Sequence, residues 1–180
     1  MNRIAFIGGG NMARSLIGGL LRHGGDASTI AVAEPQADAR DALAREFGVV
    51  THADNGTAVE GADSVVLAVK PQVLAKVCAS IADAVQRTRP LVVSIAAGIR
   101  IEQIERWLQS KPAVVRCMPN TPSLIGAGAT GLHANSRTSA PPRAQAQHIL
   151  DAAGIPVWIE DETQMDTVTA IPGSAPAYFF

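Results

Sequence analysis

Cysteine, aromatic residues and charge are all scarce in this chain, and each shortage closes off a class of protein. Two cysteines in 180 residues, Cys78 and Cys117, cannot build the disulfide framework of a small secreted domain. Neither has a second cysteine or a histidine nearby at metal-ligand spacing, so both read as buried reduced thiols. The histidines, His23, His52, His133 and His148, are scattered singly, and no metal site is expected. Aromatics make up 4% of the chain and charged residues 17%, with a net charge of −1, which leaves no basic patch to hold a nucleic acid. No apolar run approaches the ~20 residues that a membrane span needs. The first strand-like run begins at Arg3 and leaves no room for a signal peptide ahead of it. The expectation is a cytoplasmic protein with neither nucleic acid nor membrane as partner.

Hydrophobic residues, by contrast, reach 47%. At ~150 residues per domain the length allows one domain and a remainder. The most informative stretch is the opening: the apolar run from Arg3 to Ile7 leads directly into Gly8-Gly9-Gly10-Asn11-Met12-Ala13. A strand that ends in close-set glycines and runs into a helix brings backbone N–H groups and the positive end of a helix dipole to one point, which suits a pyrophosphate. Gly8 would make the tight turn, Gly10 would leave room for the phosphates, and Ala13 would keep the helix close to the sheet. The apolar stripe expected for that helix is Met12, Leu16, Gly19, Leu20 and His23, with Gly24-Gly25 as its stop.

Strand-like runs recur at 3–7, 29–33, 49–51, 64–69, 91–95, 113–118, 128–134 and 155–159, with helical patterns between most of them. The clearest helix spans 71–87, where Val73, Leu74, Val77, Cys78, Ile81 and Val85 form one stripe and Pro71 occupies the first turn. Val65 to Val69 is apolar without alternation, as in a strand covered on both faces. The pattern predicts an α/β fold with a doubly wound, mostly parallel sheet of Rossmann type and its ligand at the carboxyl ends of the strands.

The residues just after each strand are therefore the candidate site. Glu34 lies 24 positions beyond Gly10, where an acid accepts hydrogen bonds from the adenosine ribose; the alternative is a solvated turn residue before Pro35, and Arg40 nearby could meet a 2′-phosphate. NAD and NADP both stay open as cofactor. Asn55 is placed to reach the adenine edge, or else Asp54 or Asn55 caps a helix. Lys70 brings a charge to the end of a buried strand, unless it simply snorkels at a helix start. Ala96-Ala97-Gly98 is small enough for a flat ring to lie against, although a plain turn would look the same. Met118-Pro119-Asn120-Thr121-Pro122 brackets two hydrogen-bonding side chains with prolines, a rigid loop suited to the substrate side of the site or to a structural turn.

Four motifs in this order, Phe6 to Ala13, Ala68-Val69-Lys70-Pro71-Gln72, Ser94 to Gly98 and Arg116 to Pro122, closely resemble the pyrroline-5-carboxylate reductases. The resemblance implies a nicotinamide-binding Rossmann-like domain over 1–161. It places the start of an all-helical dimerisation domain, incomplete here, over 162–180. At that junction Ile171, Pro172 and Ala175 depart from the family's Ser-Gly-Ser-Gly-Pro-Ala-Tyr. By resemblance, Ile7, Gly8, Gly9, Gly10, Asn11 and Met12 form the pyrophosphate loop and Asn55 is the adenosine contact. Ala68, Val69, Lys70 and Pro71 form the ribose and nicotinamide wall, Ile95, Ala96 and Ala97 the opposite wall, and Glu34 sits at the variable 2′-site. The implied reaction is hydride transfer from NAD(P)H to the C=N carbon of 1-pyrroline-5-carboxylate, giving L-proline. The full-length protein is expected to be a homodimer or larger homo-oligomer. No catalytic residue is assigned, because in the family the groups that hold the substrate come largely from the helical domain. A related β-hydroxyacid or 6-phosphogluconate dehydrogenase and a non-catalytic cofactor-binding fragment are the competing readings.

Overall fold

The computed structural model of the 180-residue chain describes residues 2–120, 122–123 and 128–168. Among the described residues are eight strands: β1 (Ile4–Ile7), β2 (Ile30–Ala33), β3 (Val50–His52), β4 (Ser64–Leu67), β5 (Leu91–Ser94), β6 (Val114–Met118), β7 (Gly128–Ala134) and β8 (Gly154–Trp158). Between and after them lie α1 (Asn11–Arg22), α2 (Ala37–Phe47), α3 (Asn55–Val59), α4 (Pro71–Thr88), α5 (Ile101–Trp107), α6 (Ala140–Asp151) and α7 (Gln164–Val168). The strands form one sheet in the order β3-β2-β1-β4-β5-β6-β7-β8. Every pairing is parallel except β6 with β7. The doubly wound, mostly parallel architecture expected from the sequence is the one observed.

Its two faces follow from the pleat. Phe6, Val66, Val93 and Val115 point to one side and pack with Leu16 and Ile17 of α1, Leu43 of α2 and Ile149 of α6. Ile7, Leu67, Val92 and Val114 point to the other and pack with Leu74, Cys78 and Ile81 of α4 and Ile104 of α5. Because both faces are covered, β1, β4 and β5 are buried along their whole length, which explains their unbroken apolar runs.

Some boundaries differ from expectation. β4 stops at Leu67 and β5 at Ser94 rather than running on to Val69 and Ile95; each makes one more bond to its neighbour, Ala68 N–H to Ile7 O and Ile95 N–H to Leu67 O, before the loops that form the site begin. His23 does not belong to the apolar stripe of α1. It is the exposed cap residue after Arg22, with Gly24 at φ +87° completing the stop.

Close packing of α1 depends on a missing side chain. A Cβ at Gly19 would stand 2.1 Å from the carbonyl oxygen of Ala152, which is backbone at the end of α6 and cannot rotate aside. Replacing Gly19 by alanine gains ~1 kcal/mol of helix propensity but overpacks the α1–α6 contact. A net loss of about 1–3 kcal/mol is expected, read as a melting temperature lower by roughly 3–10 °C. An unchanged or raised midpoint would show that α6 can withdraw freely.

Candidate functional site

The end of β1 sets the floor. Gly8 has φ +100°, and a Cβ there would lie 2.8 Å from the Ala68 carbonyl oxygen and 2.9 Å from Val69 Cγ1, so the loops after β1 and β4 touch. Gly8 N–H donates to Ala33 O at 2.9 Å and Ala68 N–H to Ile7 O at 2.9 Å, which ties the loops after β1, β2 and β4 into one surface. This is where the strand order reverses direction, the usual place for a ligand in an open α/β sheet.

Gly10 is the residue before α1, in extended backbone, and a Cβ built on it would find nothing within 4 Å. The first helical bond is Arg14 N–H to Gly10 O at 3.0 Å. The amides of Asn11, Met12 and Ala13 therefore precede the hydrogen-bonding ladder of a 12-residue helix, at its positive end. Exposed Asn11, half-buried Met12 and buried Ala13 grade from solvent into the core. Open space above Gly10, together with amides aimed out of the helix, fits the pyrophosphate of a dinucleotide.

Glu34 stands beside this loop. Its Oε2 accepts the Gly9 N–H at 3.2 Å and its Oε1 accepts the Gln36 N–H at 3.1 Å. Arg40 donates to the carbonyls of Glu34 and Pro35 at 2.9 and 2.8 Å, so its guanidinium is held against this turn by the backbone. At the next loop Asp54, not Asn55, caps α3, by accepting the Thr57 N–H at 2.8 Å. That amide, with the Thr57 hydroxyl, holds the Asp54 carboxyl below the ordinary carboxylate range. Asn55 donates instead to Ser80 Oγ on α4 at 3.0 Å.

Lys70 is exposed immediately before α4, with Pro71 at the helix's first position. Ala68 and Val69 are half-buried under Gly8. Across from them, Ile95 is half-buried, Ala96 buried and Ala97 exposed, and Gly98 turns the chain at φ +73°. Met118 ends β6 half-buried, and Pro119 beyond it is buried. Asn120 Oδ1 accepts the Ala129 N–H at 3.0 Å, and its carbonyl accepts the Ser123 N–H at 3.0 Å. The Ser15 hydroxyl of α1 in turn donates to the Ser123 carbonyl, which fastens this loop to the helix above the glycines. Thr121 lies outside the described residues, as does the junction motif within 169–180.

The strands bring these groups to one edge. Ile7 pairs in register with Ala33 and Leu67, Leu67 with Ser94, and Ser94 with Arg116. At ~4.8 Å per strand, the shelf from Glu34 after β2 to Pro119 after β6 spans about 19 Å, a length that an extended dinucleotide can follow. Both thiols lie off it. Burial pushes the Cys78 thiol up to about 12 and raises Cys117 as well, so neither is a nucleophile at neutral pH. Among the described residues no three histidine, cysteine, aspartate or glutamate side chains gather as a metal site, and no helix is long and apolar enough to cross a membrane.

Three polar residues near this edge had no role assigned from sequence. Ser15 and Ser123 are joined only by the fold, and nothing local marks them. Arg116, a single charge inside the apolar run Val114-Val115-Arg116-Cys117-Met118, is 2% exposed and was detectable as an anomaly.

The family described as NADP oxidoreductase coenzyme F420-dependent matches residues 3–98. The chain is 51% identical over 178 residues to the pyrroline-5-carboxylate reductase of Pseudomonas aeruginosa and 48% identical over 178 residues to that of Haemophilus influenzae. These alignments cover 99% and 98% of this chain and 65% of each relative, so the chain spans about two thirds of their length. The solved pyrroline-5-carboxylate reductase of Coxiella burnetii superposes with a TM-score of 0.96 at 42% identity, covering 99% of this chain and 66% of that one. That of Plasmodium falciparum, with NADP bound, superposes at 0.86 and 26% identity, covering 99% and 64%.

Proposed function

Because the chain belongs to the NADP oxidoreductase coenzyme F420-dependent family and matches pyrroline-5-carboxylate reductases along nearly its whole length, we propose that it is the cofactor-binding part of an NAD(P)H-dependent pyrroline-5-carboxylate reductase. The observation that carries this reading is the glycine loop: room above Gly10, unspent amides at the start of α1, and a shelf along the strand ends. NAD(P)H, when bound, supplies the hydride that reduces the C=N carbon of 1-pyrroline-5-carboxylate to L-proline.

The chain's own residues position and shield. The amides of Asn11 to Ala13 hold the pyrophosphate, and Gly10, whose missing Cβ faces open space, lets it lie close to the backbone. Lys70 places a positive charge beside the ribose and nicotinamide, between walls formed by Ala68, Val69 and Pro71 on one side and Ile95 to Ala97 on the other. Asn55 stands at the adenosine end, and Met118, Pro119 and Asn120 line the substrate side. A protonated imine is already electrophilic, so holding ring and imine face to face is the main task, and no nucleophile or metal is needed. The division into a domain over 1–161 and the start of a helical one over 162–180, assembly as a homodimer or larger homo-oligomer, and a cytoplasmic location without nucleic-acid partners belong to the same proposal. The test is proline formation from 1-pyrroline-5-carboxylate and NAD(P)H by the full-length protein. Absence of turnover with intact cofactor binding would overturn the substrate assignment.

Cofactor choice turns on Glu34. Its carboxylate, held beside Gly9, lies where the 2′-phosphate of NADP would approach. Like charges in a partly buried site cost about 1–3 kcal/mol, or roughly ten- to hundredfold in affinity. NADH should therefore compete at least as well as NADPH, and Glu34→Ala should narrow the gap. A clear NADPH preference in both proteins would show that the acid does not set selectivity.

A further inference from the structure

A guanidinium buried in a sheet must be matched by anions, and Arg116 of β6 is matched by two. Its Nη1 pairs with Glu162 Oε1 at 3.3 Å and its Nη2 with Asp166 Oδ1 at 3.2 Å. The same Glu162 oxygen accepts the Ile101 N–H at 2.8 Å, at the start of α5, and the other oxygen of Asp166 pairs with Arg100 at 3.6 Å. One cluster thus joins β6, the entry to α5 and α7. β6 leads into the Pro119-Asn120 loop, and α5 follows the Ala96-Ala97-Gly98 turn, so the cluster sits directly behind two loops of the candidate site.

The path of the chain gives the cluster its direction. β8 runs parallel to β7 and antiparallel to β6, away from the site edge, and Ile159 N–H bonds to Leu132 O at its far end. α7 then returns. Val168 reaches Gly131, its Cγ1 3.0 Å from where a Cβ on that glycine would be, and Gly131 is the register partner of Met118. The chain is therefore brought back toward the site edge, level with the last residue of β6. A five-residue helix has no independent stability. Met165 supplies it with one buried apolar anchor, which resists withdrawal but does not define an orientation. Two ion pairs to one immobile guanidinium do define it, and fixing one arrangement among several is the best-attested use of a buried charge cluster.

We propose that Arg116 is a positioning residue that fixes α7 behind the loop following β6 and, through it, the substrate side of the site. This rests on the reductase reading. Its role is exerted through Glu162 and Asp166, not by contact with cofactor or substrate.

The test uses the full-length protein and the variants Arg116→Met, Arg116→Lys, and Asp166→Asn, the last altering a half-exposed side chain so that folding is retained if Arg116→Met fails to fold. Arg116→Met and Asp166→Asn should raise the KM for 1-pyrroline-5-carboxylate by about tenfold or more while cofactor Kd stays within about twofold, and Arg116→Lys should recover part of the loss. Amide exchange over 164–168 should quicken in Asp166→Asn, with the amides of β1 and α1 unchanged. Cofactor Kd rising in step with KM, or a folded variant in which neither moves, overturns the proposal. So does unaltered exchange over 164–168. If the parent protein does not reduce the imine at all, the functional reading fails and the substrate-side role with it, and exchange then judges the anchoring of α7 separately.

Discussion

Gly10→Val should bring NADH and NADPH binding below detection while the protein stays folded. The two halves of this result come from the same geometry. A Cβ at position 10 meets no protein atom within 4 Å, and the backbone there is extended, a conformation open to any residue. The new side chain therefore starts from open space on a backbone that needs no adjustment. It projects into the space over the first turn of α1, where a pyrophosphate must come within hydrogen-bonding distance of the amides of Asn11 to Ala13. Loss of that contact should cost at least about a hundredfold in affinity, roughly 2.7 kcal/mol or more, against a melting temperature lowered by no more than a few degrees. Cofactor fluorescence titration and thermal unfolding on the same preparation decide it. Undiminished affinity in the folded variant would remove the glycine loop from the site. Gly8→Val should behave oppositely, because its side chain would meet the Ala68 carbonyl at φ +100° and damage the fold itself.

The second large effect concerns the 180-residue chain compared with its full-length form. The short chain should bind cofactor and form almost no proline, whereas the full-length protein should turn over 1-pyrroline-5-carboxylate, a difference of at least about a thousandfold. The chain spans 65% of its reductase relatives, and the shelf described above accounts for one reactant. On the proposed reading, groups that orient the imine belong to the remaining third of the full-length protein, and without them most of the proximity contribution is lost, a contribution that reaches ~7–11 kcal/mol in favourable systems. A thousandfold is about 4 kcal/mol of it. Proline production by both proteins at equal cofactor saturation checks the expectation. Comparable rates would show that residues 1–180 complete the site, and inactivity of both with cofactor bound would point to another substrate.

Much of this arrangement is legible in the sequence because its signals are local. The glycine run after an apolar strand, Pro71 at the first turn of α4 and the unbroken Val65-Val66-Leu67 each report their own surroundings, and each marks its element correctly within a residue or two. Residues after the strands gather at one edge because parallel strands with helical crossovers leave no other arrangement. What the sequence hides is pairing at a distance. Glu34 is identifiable as an acid at the end of β2, but its bond to the Gly9 amide, 25 residues away, is not. Between Asp54 and Asn55 only the packing of α3 on α4 decides which is the cap, since Ser80 claims the Asn55 side chain. The reversal of β7 and the link from Ser15 to Ser123 are likewise products of the assembled fold. Arg116 is the instructive case: a lone charge in an apolar strand announces that a partner exists, and says nothing of Glu162 and Asp166 some fifty residues further on.

The two sulfur atoms set aside above give the experimenter a clean background. Cys78 and Cys117 are 0% and 1% exposed, and both stay protonated at neutral pH, so a maleimide dye finds no native target in these 180 residues. A single cysteine introduced at exposed Gln72, on the first turn of α4 beside Lys70, would take up the label alone. Fluorescence from that one position could then follow cofactor arrival at the nicotinamide end of the shelf in real time, with no need to strip the core of its own thiols.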